Sequence, residues 1–220
     1  MIQVVAACSE EYEMTETNLR TQRTKIFIQN ALIELTERQG FDTISVEDIS
    51  KKAMINRATF YRYYKNKYHL VEDLYKGALR KLSNDMGPPK ALRDVFIRGA
   101  PRKGEDERFQ AAWTKLFEHF ASNSRLYTAM LSDKGSAWFQ ARMREQMAKF
   151  FQAWHRAQRK RGRKPTESVP ADIAQTLLAS TVIGILSCWL EGGMEYSALE
   201  AAGWFRRIAR EGYVRVLGWV

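Results

Sequence analysis

Between positions 57 and 67 the chain gathers side chains suited to hydrogen bonding with a polyanion: Arg57, Ala58, Thr59, Tyr61, Arg62, Tyr63 and Lys67. An arginine fork meets guanine O6 and N7 as a pair, and each such contact discriminates by roughly 1–3 kcal/mol. Phenol and ammonium groups such as those of Tyr61, Tyr63 and Lys67 reach phosphate oxygens and fix register without reading sequence. Small residues such as Ala58 and Thr59 let a helix approach base edges. Residues 17–67 hold ten Lys or Arg against five Asp or Glu. Phosphate neutralisation would therefore supply most of the sequence-independent affinity.

These side chains need a rigid element to present them. Ser45-Val46-Glu47-Asp48 is a capping-box pattern that predicts a short helix through Ala53. Met54-Ile55-Asn56 then reads as a three-residue turn, with Asn56 as N-cap of a second short helix over 57–64. Helix, turn and helix follow in the proportions of a helix-turn-helix. At 100° per residue, Phe60 and Tyr64 share one side of the second helix, with Ala58 and Arg62 opposite. Phe60 and Tyr64 are expected to pack on Val46, Ile49 and Ala53, leaving Ala58, Thr59 and Arg62 outside.

The rest of the chain also reads as helix, so the predicted fold class is all-α: an N-terminal three-helix head and a C-terminal helical regulatory and dimerisation domain. A first helix is predicted over 18–39, with Phe27, Ala31 and Leu35 on one face and Gly40 as a left-handed cap. Asn66-Lys67 opens a helix to about Ser83. Further helices are expected over 107–122, 124–131, 135–160, 170–191 and from Ser197 to about Leu217. The division is a flexible arm over 1–16, the head over 17–67, and a ligand-binding and dimerisation domain over 68–220.

A family resemblance becomes specific along Arg23-Thr24-Lys25-Ile26, Gly40-Phe41, Thr43-Ile44-Ser45-Val46, Ile49-Ser50, Ala53, the run from Asn56 to Tyr64, Lys67 and Leu70. This run resembles the TetR family of transcriptional regulators. The resemblance implies a homodimer that binds double-stranded, palindromic operator DNA as a repressor and is released by a small ligand. It places Thr43, Ser45, Arg57, Ala58, Thr59, Tyr61 and Arg62 at the DNA, and Tyr63 and Lys67 on phosphate. Tyr63-Tyr64 stands where the family often has His-Phe, so a phenol replaces an imidazole in the backbone contact. Residues 189–197 resemble the junction of the last two helices, which form a four-helix dimer interface in such proteins. Ser180, Gly184 and Cys188 would let two helices approach closely, with Ala201, Ala202, Phe205, Ile208, Ala209 and Gly212 as the matching face.

A hydrophobic, partly aromatic ligand is expected among Trp113, Phe117, Phe120, Tyr127, Phe139, Met143, Met147, Phe151 and Trp154, although ordinary core packing fits the same spacing. The basic run from Arg159 to Lys164 reads as solvated surface. His119 and His155 stand at no metal-ligand spacing and read as structural, and Cys188 reads as a buried, inert thiol. There is no phosphate-binding glycine loop, metal cluster or nucleophile with a base, so no enzyme, cofactor or metal is expected.

The 220 residues carry a net charge of +10, with 45% hydrophobic and 27% charged side chains, an ordinary globular balance that favours a polyanionic partner. Two distant cysteines, Cys8 and Cys188, suit a reducing, cytoplasmic setting. No apolar run is expected to reach the ~20 residues that span a bilayer, and no membrane partner is expected. The competing expectation is a helical protein-interaction module whose head does not read sequence.

Overall fold

The computed structural model describes residues 16–86, 106–160 and 169–208, and every regular element among them is helical. In chain order these are α1 (Glu16–Gln39), a 3-10 turn (Phe41–Thr43), α2 (Val46–Lys52), α3 (Arg57–Tyr63) and α4 (Lys67–Met86). Then come α5 (Asp106–Ser122), α6 (Ser124–Leu131), α7 (Ala137–Lys160), α8 (Ala171–Glu191) and α9 (Ala198–Ile208).

Local chemistry sets most of these boundaries. Gly40 closes α1 at φ +84° and ψ 147°, a positive-φ extended geometry that glycine alone adopts easily, rather than the left-handed helical cap expected. Ser45 Oγ accepts the Asp48 N–H at 3.1 Å while Asp48 Oδ2 accepts the Ser45 N–H at 2.9 Å, which starts α2. Ser197 and Glu200 repeat the device at α9. Asn56 Oδ1 accepts the Ala58 N–H at 2.9 Å and starts α3. Pro170 stands one residue outside α8, and Ser136 Oγ accepts the Phe139 N–H ahead of α7, so that helix begins two residues later than expected.

One continuous apolar core runs through the molecule, from Ile28, Leu32, Ile49 and Phe60 to Phe117, Phe139, Val182 and Phe205. α1 packs on α2 and α6, α4 on α5 and α7, α5 on α9, and α7 on α8. The helix-turn-helix is therefore joined to the body along α1 as well as through α4. Two polar contacts reinforce that seam. The Phe41 N–H donates to the Lys134 carbonyl at 2.8 Å, and Arg125 Nε lies 3.1 Å from Glu37.

Three expectations need correcting. Phe27 is 58% exposed, whereas Ala31 and Leu35 are buried as predicted. Cys188 is exposed, not buried. α8 has 21 residues and contains an 18-residue stretch with a mean hydropathy of 1.7, so by length and composition alone it is apolar enough to cross a bilayer. Its Val182 and Leu186 are nonetheless fully buried inside the protein. The segments 1–15, 161–168 and 209–220, which include all but the last residue of the expected arm, most of the basic loop, and Ala209 and Gly212, lie outside the described residues, while Glu16 already belongs to α1.

Candidate nucleic-acid interface

α2 and α3 meet around a turn in which Met54 takes φ +53° and is 90% exposed. Ile49 and Ala53 of this unit are buried, with Val46 packed at the core edge. Phe60 is fully buried and Tyr64, the C-cap of α3, is 2% exposed, so the inward face is the one its angular spacing predicts. Their rings lie 5.8 Å apart. Tyr64 Oη donates to Asp73 Oδ2 at 2.8 Å, and Gln29 Nε2 donates to the same oxygen at 3.2 Å. Burial and the Asp73 carboxylate push the Tyr64 phenol well above its ordinary pKa. This three-residue network, absent from the sequence reading, pins α1, α3 and α4 together. Its signal was a polar Gln29 beside the apolar stripe of α1.

The opposite face of α3 is open. Arg57, Ala58, Tyr61 and Arg62 are exposed, and Thr59 and Tyr63 are partly so. Tyr61, one turn on, raises the pKa of the exposed Arg57 guanidinium, chiefly by hydrogen bonding. Ahead of α2, Thr43 is exposed, and its hydroxyl stands 3.0 Å from both the Gln39 and the Gly40 carbonyl oxygens. Ser45 is spent on the cap. Its hydroxyl donates to Asp48 at 2.6 Å, and this bond, followed by that from the Ser45 N–H, lowers the Asp48 pKa. Lys67 bonds to three carbonyls of the protein itself, those of Phe41, Asp42 and Ile44. The set from Thr43 to Arg62 thus lies around one unit, while the Lys67 ammonium is engaged behind it.

The residues expected to line a ligand pocket are brought together as packed core. Trp113, Phe117, Phe120, Tyr127, Phe139, Met143 and Phe151 are buried, and Met147 packs at their edge. The Trp113 and Phe205 rings pack at a tilt with centroids 4.2 Å apart, and those of Phe120 and Tyr127 likewise at 4.3 Å. The side chain of Trp154 lies outside the described residues. A surface groove of about 600 Å³ opens elsewhere, between α5 and α9, beside Gln110, Thr114, Lys115, Glu118, Leu199 and Arg206.

The expected dimer residues divide. Ser180, Gly184 and Cys188 all lie exposed on one face of α8, continued by Ile173 at 57% and Leu177 at 63% exposure. Ile173 and Leu177 were missed, although their spacing extends the same stripe. Ala201, Ala202 and Phe205 turn inward, Phe205 onto Trp113 of α5, and are buried within the protomer. On α9, Ile208 of the expected set faces out, beside the exposed Trp204, which was missed.

The sequence model described as bacterial regulatory proteins of the tetR family matches residues 28–74. A second, described as a transcriptional regulator C-terminal region of the same family, matches 107–211. An uncharacterised helix-turn-helix transcriptional regulator of Bacillus subtilis (strain 168), YxbF, is 34% identical over 44% of this chain and 26% of its own. DhaS of Lactococcus lactis subsp. lactis (strain IL1403), a dhaKLM operon transcriptional activator, is 34% identical over 44% of this chain and 54% of its own. The alignments thus span about a quarter and about half of these relatives. Among solved structures, NalD of Pseudomonas aeruginosa, the secondary repressor of the MexAB-OprM multidrug efflux pump, superposes with a TM-score of 0.62. That match covers 90% of this chain and 98% of NalD at 17% identity, a likeness of fold.

Proposed function

We propose that this chain, which belongs to the TetR family of bacterial regulatory proteins, is a DNA-binding transcriptional regulator that occupies a palindromic operator as a homodimer and represses from it. The observation that carries the reading is the two-sidedness of α3: Phe60 and Tyr64 are buried beneath it while Arg57, Ala58, Tyr61 and Arg62 are exposed above it. A helix held so firmly from one side and so small or fork-bearing on the other suits the major groove. Arg57 and Arg62 read bases, Ala58 and Thr59 allow close approach, and Thr43, Tyr61 and Tyr63 hold backbone phosphates. Residues 17–67 act as the reading unit and 68–220 as the body.

Dimerisation is supported by the exposed stripe from Ile173 to Cys188 on α8, where small residues permit close contact of two copies. A two-fold axis there would set two copies of α3 on half-sites about one helical turn apart, roughly 34–36 Å. A hydrophobic, partly aromatic ligand that favours another spacing of the heads would release the dimer by population shift. Such a protein works in the cytoplasm, on chromosomal DNA.

The test is selection of bound sites from random duplex DNA. A recovered inverted repeat supports both reading and dimeric docking, and a reporter under that site gives the sign of regulation. Folded dimer that enriches no motif would refute the reading and leave a helical interaction module in its place.

A further inference from the structure

Lys67 opens α4, yet its ammonium reaches back to the segment that follows α1. Nζ lies 2.9 Å from the Phe41 carbonyl oxygen, 2.9 Å from that of Asp42 and 3.0 Å from that of Ile44. It also stands 4.7 Å from the centre of the Phe41 ring and 5.7 Å from that of Tyr68. An ammonium has three N–H donors and no acceptor, so the three carbonyls use its whole hydrogen-bonding capacity.

The segment it grips is an unusual piece of chain. Gly40 turns it at positive φ, and the Ile44 N–H closes it onto the Phe41 carbonyl at 3.3 Å. Three carbonyl dipoles converge on one point, and a cation at that point removes their mutual repulsion. The next residue is Ser45, whose cap starts α2. The position of α2 beneath the reading helix therefore follows from the shape of this turn.

We propose that Lys67 is a positioning residue for DNA binding: it acts through the Phe41–Ile44 backbone to set the start of α2, and not by holding a phosphate. The proposal rests on the DNA-binding reading above. It also ties the first turn of α4 to α2, so a displacement of α4 is passed directly to the reading unit.

The two roles part at Lys67→Arg. Arginine keeps the charge and grips phosphate at least as well, but its planar fork cannot aim three N–H groups at converging carbonyls. Full-length protein and the selected operator would be titrated at several salt concentrations, with helix content checked by circular dichroism. Positioning predicts that Lys67→Arg and Lys67→Met both weaken the operator complex, by about tenfold or more. It further predicts that Lys67→Arg leaves the salt dependence as in wild type. Wild-type affinity in Lys67→Arg, with a slope lowered by about 0.9 in Lys67→Met alone, is the phosphate signature and would overturn the proposal.

A second readout needs no DNA. In free protein the Lys67 ammonium should give a slowly exchanging ¹⁵N signal, and Lys67→Met should speed amide exchange at Ile49 and Ala53 while sparing Val182. A Lys67 signal like that of a solvated lysine would also overturn it. If wild type selects no operator, the DNA-binding reading fails, and these two measurements still decide what Lys67 does.

Discussion

Nδ1 of His119 lies 2.7 Å from Oδ2 of Asp85, and this contact fastens the buried middle of the body to the last turn of α4. The carboxylate can only accept, so Nδ1 carries the proton, and Nε2 accepts from the Tyr127 hydroxyl at 2.9 Å. Asn123 braces the pair by donating to the His119 carbonyl at 2.7 Å, and Lys81 of α4 donates to Asn123 at 2.9 Å.

Burial pulls the His119 pKa below its ordinary 6.5, outweighing the opposing hydrogen bond to Asp85. A histidine depressed in the folded state takes up protons more readily unfolded. Its contribution is thus complete above pH 6.5 and is lost as pH falls through the lower folded value. Melting temperature measured from pH 8 to 5 should fall more steeply in wild type than in His119→Gln. Parallel curves would assign the acid sensitivity to other groups.

Arg62→Ala should weaken the selected operator by about 1–3 kcal/mol and relax preference at one base pair per half-site. Binding to random DNA should change much less. Arg57→Ala should relax a different position. Uniform loss across all sequences in Arg62→Ala would make that residue a phosphate contact.

Gly184 is open in the protomer: a Cβ added there would meet nothing within 4 Å. Within one chain Gly184→Ala should therefore gain about 0.8–1 kcal/mol of helix propensity. If α8 lies on the two-fold seam, the larger Gly184→Leu should cost the dimer about 1–3 kcal/mol of association. Sedimentation across a concentration series reads the difference, and unchanged association would move the seam elsewhere.

Gly135 is the opposite case. A Cβ there would come 2.4 Å from the Met130 carbonyl oxygen and 2.8 Å from that of Ala129, both backbone atoms. Gly135→Ala should destabilise by on the order of 1–3 kcal/mol in urea unfolding. Since Lys134 next to it accepts the Phe41 N–H, operator affinity should fall as well. A neutral urea midpoint would show that the loop relaxes freely.

The helix-turn-helix was legible because its signals are local. Ser45, Asp48 and Asn56 form hydrogen bonds within three residues of themselves, and these are the bonds the structure contains. Phe27 misled for a geometric reason. Steps of four overshoot a helical turn, so Phe27 stands about 80° around α1 from Leu35 and leaves the buried arc. Ala201, Ala202 and Phe205 misled for a topological one. An apolar face announces that something covers it, and only the fold shows that α5 of the same protomer does. Lys67 belongs to neither class, since its carbonyl partners lie more than twenty positions away. Sequence shows the charge there and not its direction.

The tie between Phe41 and Lys134 is main chain on both sides. Replacing either side chain leaves donor and acceptor in place, and only proline at position 41 would delete the donor. This bond between reader and body is thereby independent of the side chains at 41 and 134. Substitutions on α3 or in the body therefore leave this bond in place.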